Sequence, residues 1–248
     1  MITAFGPHEL HVWLLDLSAA EAETDRRLLD GPEQARAERF RFPADRSRWI
    51  AARAGLRRVL GHYLDRAPAA LRFEPGRYGK PQVTGADGLR FSLSHAGGRA
   101  ALALASGRPA GVDIEPIRPL DDPDLAAHIL TPAERALWRA CPAEDRPAAL
   151  LRCWCVKEAY AKGLGIGLAL PFAAVETALG TAETIAAGTE GWQIRRPDAG
   201  PGYLMALAAP GPELALRLFK APGLAASAGT ALPESLLAAF PALQPSGP

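Results

Sequence analysis

The chain has 248 residues, 48% of them hydrophobic, and a formal net charge of +1. That length allows one large domain or two small ones, and the apolar content is ample for a buried core. The near-neutral charge carries no footprint of general nucleic-acid binding and no acidic interaction tail.

In chain order, residues 10–17 read as a buried strand. Residues 32–41 read as a charged helix with Pro32 in its first turn. Residues 45–65 form the clearest helix of the first half. Asp45 is its expected N-cap, and Trp49, Ala52, Leu56, Leu60 and Tyr63 form its apolar stripe. A Gly/Pro-rich loop at 74–81 precedes two strands, 89–94 and 99–106, joined by a turn at Ala96-Gly97-Gly98. Residues 110–115 are a strand stopped by Pro116. Thr131-Pro132-Ala133-Glu134 has the form of a helix start with a capping box. Residues 146–163 are the longest helix of the second half, ended by Gly163 and Gly165. Strands are expected over 172–178, 191–196, 202–209 and 213–219, and a short helix at 233–240. The expected class is α/β (α+β). Residues 1–109 and 110–220 form two halves with the same element order, and residues 221–248 form an Ala/Pro/Gly-rich tail.

Cys141, Cys153 and Cys155 cannot all pair internally, and Cys-x-Cys lacks a second ligand pair for zinc. We therefore expect reduced thiols and a cytosolic compartment. The N-terminus lacks a basic signal region, and no apolar run is long enough to span a bilayer.

Two segments carry the chemistry. In Gly111-Val112-Asp113-Ile114-Glu115, strand alternation sends Asp113 and Glu115 to one side together. In Trp154-Cys155-Val156-Lys157-Glu158-Ala159-Tyr160-Ala161-Lys162, Glu158 and Lys162 share a helix face with Trp154 one turn earlier. Alone, these patterns read as a solvated strand face and a surface ion pair. Together, Asp113, Glu115 and Glu158 offer carboxylates for Mg²⁺, and Lys162 offers charge for phosphate. The chain has only four lysines, Lys80, Lys157, Lys162 and Lys220. Lys157 supplements Lys162 or faces a partner or solvent. Glu134 completes a capping box. Tyr78-Gly79-Lys80-Pro81 presents Lys80 on a rigid turn that is not a Walker loop. Ser94 and His95 are adjacent on a strand and point to opposite faces, against a shared proton and a hydrolase pair. His95 and the amides of the following turn instead suit an anion, or form a structural turn. Arg36, Arg39, Arg41, Arg46 and Arg48 make the first half locally basic.

With Phe91-Ser92-Leu93-Ser94-His95, these motifs resemble, in order and spacing, the Sfp-type 4′-phosphopantetheinyl transferases over roughly residues 10–219. The resemblance implies two similar α/β halves about a pseudo-two-fold, with coenzyme A in the cleft between them. It implies transfer of the phosphopantetheine arm to a serine of an apo acyl or peptidyl carrier protein, releasing adenosine 3′,5′-bisphosphate. By position, it makes Asp113, Glu115 and Glu158 metal ligands and puts Lys162 by the pyrophosphate. Lys80, His95, Arg48 and Ser94 fall at the nucleotide and its 3′-phosphate. Glu134 falls at a glutamate that helps arrange the catalytic site, and Glu158 is the candidate base. Two departures stand out. Ala96 replaces a small hydroxyl, and Gly165-Ile166-Gly167 lacks a basic residue. A monomer is expected, since one chain supplies both halves. The rival readings are another Mg-dependent nucleotide hydrolase or transferase, and a non-catalytic coenzyme A-binding or carrier-docking module.

Overall fold

The computed structural model describes residues 5–6, 8–18, 22–86, 88–120, 122–185 and 191–221. The expected helix at 233–240 and the tail beyond Ala221 lie outside the described residues. The elements in order are β1 (Glu9–Asp16), α1 (Ala22–Arg26), α2 (Gly31–Ala37), α3 (Pro43–Leu64), β2 (Phe73–Pro75), β3 (Pro81–Val83), β4 (Leu89–Ala96), β5 (Arg99–Ser106), β6 (Gly111–Pro116), α4 (Pro123–Ile129), α5 (Pro132–Ala140), α6 (Arg146–Leu164), β7 (Thr184–Ile185), β8 (Trp192–Arg195), β9 (Tyr203–Pro210) and β10 (Ala215–Ala221). The class is mixed α/β. Among the described residues no helix is long and apolar enough to cross a membrane.

Two four-stranded sheets, ordered β10-β1-β5-β4 and β6-β9-β8-β7, form the body, and β2-β3 is a small hairpin. The first sheet has a core on each face because its strands alternate. Trp13, Leu15, Leu102 and Leu104 turn toward Leu56 and Leu60 of α3. Leu10, Val12, Ala101 and Ala103 turn toward Val112, Ile114, Met205 and Leu207 of the second sheet. The far side of the second sheet is covered by Cys155, Val156, Ala159 and Tyr160 of α6. Each large aliphatic buried this way contributes about 1.5–3 kcal/mol.

Several expectations shift. The N-cap of α3 is Phe42, whose side chain makes no cap bond, and Pro43 opens the helix. Asp45 lies in the first turn, where its charge suits the helix dipole. The strand expected at 172–178 is absent; Phe172–Ala174 is a single 3-10 turn. The last strand forms, but it pairs in parallel with β1 of the first sheet, Glu9 opposite Ala215 through Leu15 opposite Ala221. The first sheet is therefore mixed and the second wholly antiparallel. All three cysteines are free thiols.

Candidate functional site

The two sheets meet along β4 and β6, where serine side chains take the place of a backbone ladder. Ser92 Oγ accepts from the Val112 amide at 3.2 Å, and Ser94 Oγ from the Ile114 amide at 3.4 Å. Ser94 in turn donates to Asp113 Oδ1 at 2.8 Å. On the other side, α6 approaches β6 very closely at Gly111. A Cβ there would lie 1.8 Å from the Ala159 carbonyl oxygen, so only glycine fits. That approach brings Trp154, Glu158 and Lys162, spaced four apart along α6, over Asp113 and Glu115.

Asp113 is buried, and its Oδ1 takes hydrogen bonds from both Ser94 and the Lys162 ammonium. Among the described residues its buried Oδ2 has no hydrogen-bond partner. Such an orphaned carboxylate oxygen is costly unless a cation completes it. Glu115 accepts from the Trp154 indole N–H at 3.0 Å. Desolvation, followed by the charge of Asp113, pushes the Glu115 carboxyl above its ordinary range. Glu158 is raised too, by desolvation and by Asp113 and Glu115, with Lys162 opposing. The three carboxylates therefore feel one another. Among the described residues, however, no three acidic, histidine or cysteine side chains stand close enough to form a ready-made cage. The Lys162 ammonium provides the positive charge at Asp113 in this arrangement. The donor set suits a hard cation that takes few protein ligands.

Beside this centre opens a cleft of about 750 Å³. Arg36, Arg39, Arg53, Lys80, His95 and Lys162 line it, against the carboxylates Glu33 and Glu74. Trp49, Phe73, Tyr78 and Phe91 supply aromatic walls. Desolvation, then the charges of Lys162, Arg36 and Arg53, hold the His95 imidazole below its ordinary value. An anion arriving among these cations would favour the protonated ring. The cleft suits a polyanion with a planar ring.

Not every expected residue reaches it. Arg48 does not line the cleft; it pairs with Asp45 at 3.2 Å, half-exposed. Arg53, five residues further along α3, lines the cleft instead. It is held by Glu33 and stacked 4.8 Å from the Phe73 ring centroid. Nothing in local spacing singles out Arg53, because both partners come from other elements. Lys80 lines the cleft, but its ammonium donates to the carbonyls of Ala110 (2.8 Å) and Lys162 (2.7 Å). Burial, then Arg90, brings its pKa down to about 8.

Lys157 is fully buried and donates to the carbonyls of Ile129 (2.7 Å) and Phe172 (2.9 Å) and to Glu134. Its ammonium is committed to the core and not exposed, which corrects the reading of Lys157 as a supplement to Lys162 or as facing a partner or solvent. Glu134 is equally buried. Its Oε1 accepts from the Thr177 amide and hydroxyl, and its Oε2 from the Thr131 amide and Lys157. The capping box is present, and Glu134 does not line the cleft. Of the turn amides expected to receive an anion, that of Gly98 is committed to Tyr203 Oη at 3.0 Å.

A family model described as the 4′-phosphopantetheinyl transferase superfamily matches residues 109–208, the span that holds Asp113, Glu115, Glu158 and Lys162. The chain is 37% identical over 167 residues to the 4′-phosphopantetheinyl transferase HetI of Nostoc sp., covering 65% of this chain and 70% of that one. It is 26% identical over 201 residues to a 4′-phosphopantetheinyl transferase of Bacillus subtilis, covering 79% and 89%. It is 34% identical over 141 residues to the 4′-phosphopantetheinyl transferase AcpT of Salmonella typhimurium, covering 56% and 69%.

Proposed function

The chain belongs to the 4′-phosphopantetheinyl transferase superfamily, and we propose that it moves the phosphopantetheine arm of coenzyme A onto a serine of an apo acyl or peptidyl carrier protein at the Asp113 centre. The observation that carries this reading is the junction of opposite charges at that centre. A buried aspartate with an orphaned oxygen, flanked by Glu115 and Glu158, is bonded by Lys162, which also lines a cleft rich in arginine and lysine. A pyrophosphate with a cation fits that junction.

Asp113, Glu115 and Glu158 would hold Mg²⁺, which needs only one or two carboxylates when phosphates and waters complete its shell. When bound, Mg²⁺ neutralises phosphate charge and the charge on the leaving bisphosphate. Lys162 assists with an ammonium aimed at the same place. The arginines and His95 grip the nucleotide end, and the aromatic walls exclude water from it. The carrier serine Oγ attacks the phosphorus next to the pantetheine, and its P–O bond to adenosine 3′,5′-bisphosphate breaks. Glu158 takes the serine proton. Its raised affinity for a proton, set by burial and by the neighbouring carboxylates, suits a base. Both sides of the cleft come from one chain, so a monomer suffices, and the reaction is that of a cytoplasmic enzyme.

Asp113→Ala tests this assignment. The variant keeps its fold and still binds coenzyme A, measured by calorimetry, and transfers nothing. Transfer at the wild-type rate would remove Asp113 from the centre. A variant equal to wild type in docking a carrier, beside a wild type with no transfer, would favour a docking module.

A further inference from the structure

The seam between β4 and β6 has a regular rhythm. Ser92 meets the amide of residue 112, and Ser94 meets that of residue 114. The next step of two would join residue 96 to residue 116. That rung cannot form, because Ala96 has no hydroxyl and Pro116 has no N–H. His95 would then sit at a loose end, between the last serine rung and the β4–β5 turn.

The structure supplies the missing tie from a third strand. Tyr203 lies opposite Pro116 in the β6–β9 ladder. Its hydroxyl crosses the seam and accepts the Gly98 amide at 3.0 Å. The Gly98 carbonyl accepts from the Leu17 amide at 2.8 Å, so the backbone N–H and C=O of Gly98 are both fixed. Gly97 adopts φ +55°, and a Cβ on it would lie 2.7 Å from the Tyr203 hydroxyl oxygen. The turn is therefore glycine for two reasons, its left-handed backbone and the close approach of Tyr203. The ring is held in turn by the Arg99 guanidinium, 4.5 Å from its centroid, and Arg99 is anchored on the Ala199 carbonyl.

We propose that Tyr203 is a positioning residue for the transfer reaction: by holding Gly98 from the opposite sheet, it fixes the segment that presents His95 to the coenzyme A cleft. This rests on the reading of the cleft as the coenzyme A site. Tyr203 is outside the cleft lining, so it acts through the turn and not by touching substrate.

Tyr203→Phe keeps the ring and its stacking on Arg99 and removes only the acceptor. The test measures coenzyme A binding by calorimetry, then KM for coenzyme A and kcat at saturating carrier. The loss of one hydrogen bond predicts a rise of roughly threefold to tenfold in Kd and KM. The kcat should stay within about twofold, because the reacting groups are untouched. His95→Ala supplies the second arm. In that background Tyr203→Phe should add less than about twofold, since the two act as one unit. Gly97→Ala, which crowds the hydroxyl from the other side, should raise KM in the same direction. Unchanged affinity in Tyr203→Phe, or an equal loss with and without His95, overturns the proposal while leaving the coenzyme A site standing. A wild-type chain that binds no coenzyme A overturns both.

Discussion

Ser94 of the first sheet donates its hydroxyl to Asp113 of the second at 2.8 Å, across a seam where no backbone ladder joins the two. The same oxygen accepts from the Ile114 amide and from Lys162 at 3.0 Å. One serine thus ties together the acidic strand, the basic helix and the strand that carries His95. Ser94→Ala leaves the Ile114 amide without its acceptor. Each unmet buried polar group costs about 1–3 kcal/mol. A urea titration should show that loss, with coenzyme A affinity also reduced. An unchanged midpoint would mean that the seam does not depend on this hydroxyl.

Lys157 and Glu134 form a buried ion pair with complete hydrogen bonding. Breaking one side strands the other charge in the core, at a cost of about 3–5 kcal/mol. Lys157→Met should therefore destabilise strongly, and Lys157→Met with Glu134→Leu less than the single change. Activity per folded molecule should be preserved within a few-fold in the double variant. A Lys157→Met protein of normal stability but no activity would return Lys157 to the phosphate.

Lys80 bonds to backbone carbonyls at the end of α6 and just before β6, the two elements that hold Lys162 and Asp113. In this arrangement it acts as a tether. Lys80→Met should then lower activity by the same factor with coenzyme A and with dephospho-coenzyme A, which lacks the 3′-phosphate. It should also lower stability by about 1.5–3 kcal/mol, as for hydrogen bonds from a charged donor. A loss confined to coenzyme A itself would assign Lys80 to the 3′-phosphate.

His11 is fully buried between Tyr63, whose hydroxyl lies 2.6 Å from Nδ1, and Glu9, 3.3 Å from Nε2. Desolvation holds its pKa below the ordinary 6.5, against the pull of Glu9 and with a small contribution from Arg217. The folded state therefore favours neutral imidazole. Below pH 6.5 the unfolded chain gains a proton that the folded chain resists. The stability this confers is present above pH 6.5 and is lost as the pH falls. Glu9, with its own pKa lowered, adds a loss in the same direction at lower pH. Melting temperature should drop from pH 7 to pH 5, and His11→Asn should flatten that slope while lowering stability throughout. An identical slope in the variant would place the titration elsewhere.

What was legible in the sequence was local. The buried run of β1, the hairpin of β4 and β5, the helix stripe of α3 and the capping box at Thr131 all rest on neighbours in the chain. So did the carboxylates, because strand alternation puts Asp113 and Glu115 together without further information. What was not legible was decided by distant partners. Residues 172–178 failed as a strand because their backbone is spent on a polar network. The Phe172 carbonyl goes to Lys157, and the Thr177 amide to Glu134. Lys157 sits one residue from Glu158, and that step around the helix turns it from the cleft into the core. The parallel pairing of β10 with β1 joins segments some two hundred residues apart, which no local pattern announces. Arg53 owes its place in the cleft to Glu33 and Phe73, whereas Arg48 pairs with Asp45 of its own helix.

Transfer of phosphopantetheine at the Asp113 centre is read out by intact-protein mass spectrometry of an apo carrier protein. The carrier is incubated with this chain, coenzyme A and Mg²⁺, with and without EDTA, and in parallel with Asp113→Ala. The carrier should gain one phosphopantetheine, and that gain should need the metal and disappear in the variant. No gain across acyl and peptidyl carriers of several classes, with coenzyme A still bound, would contradict it.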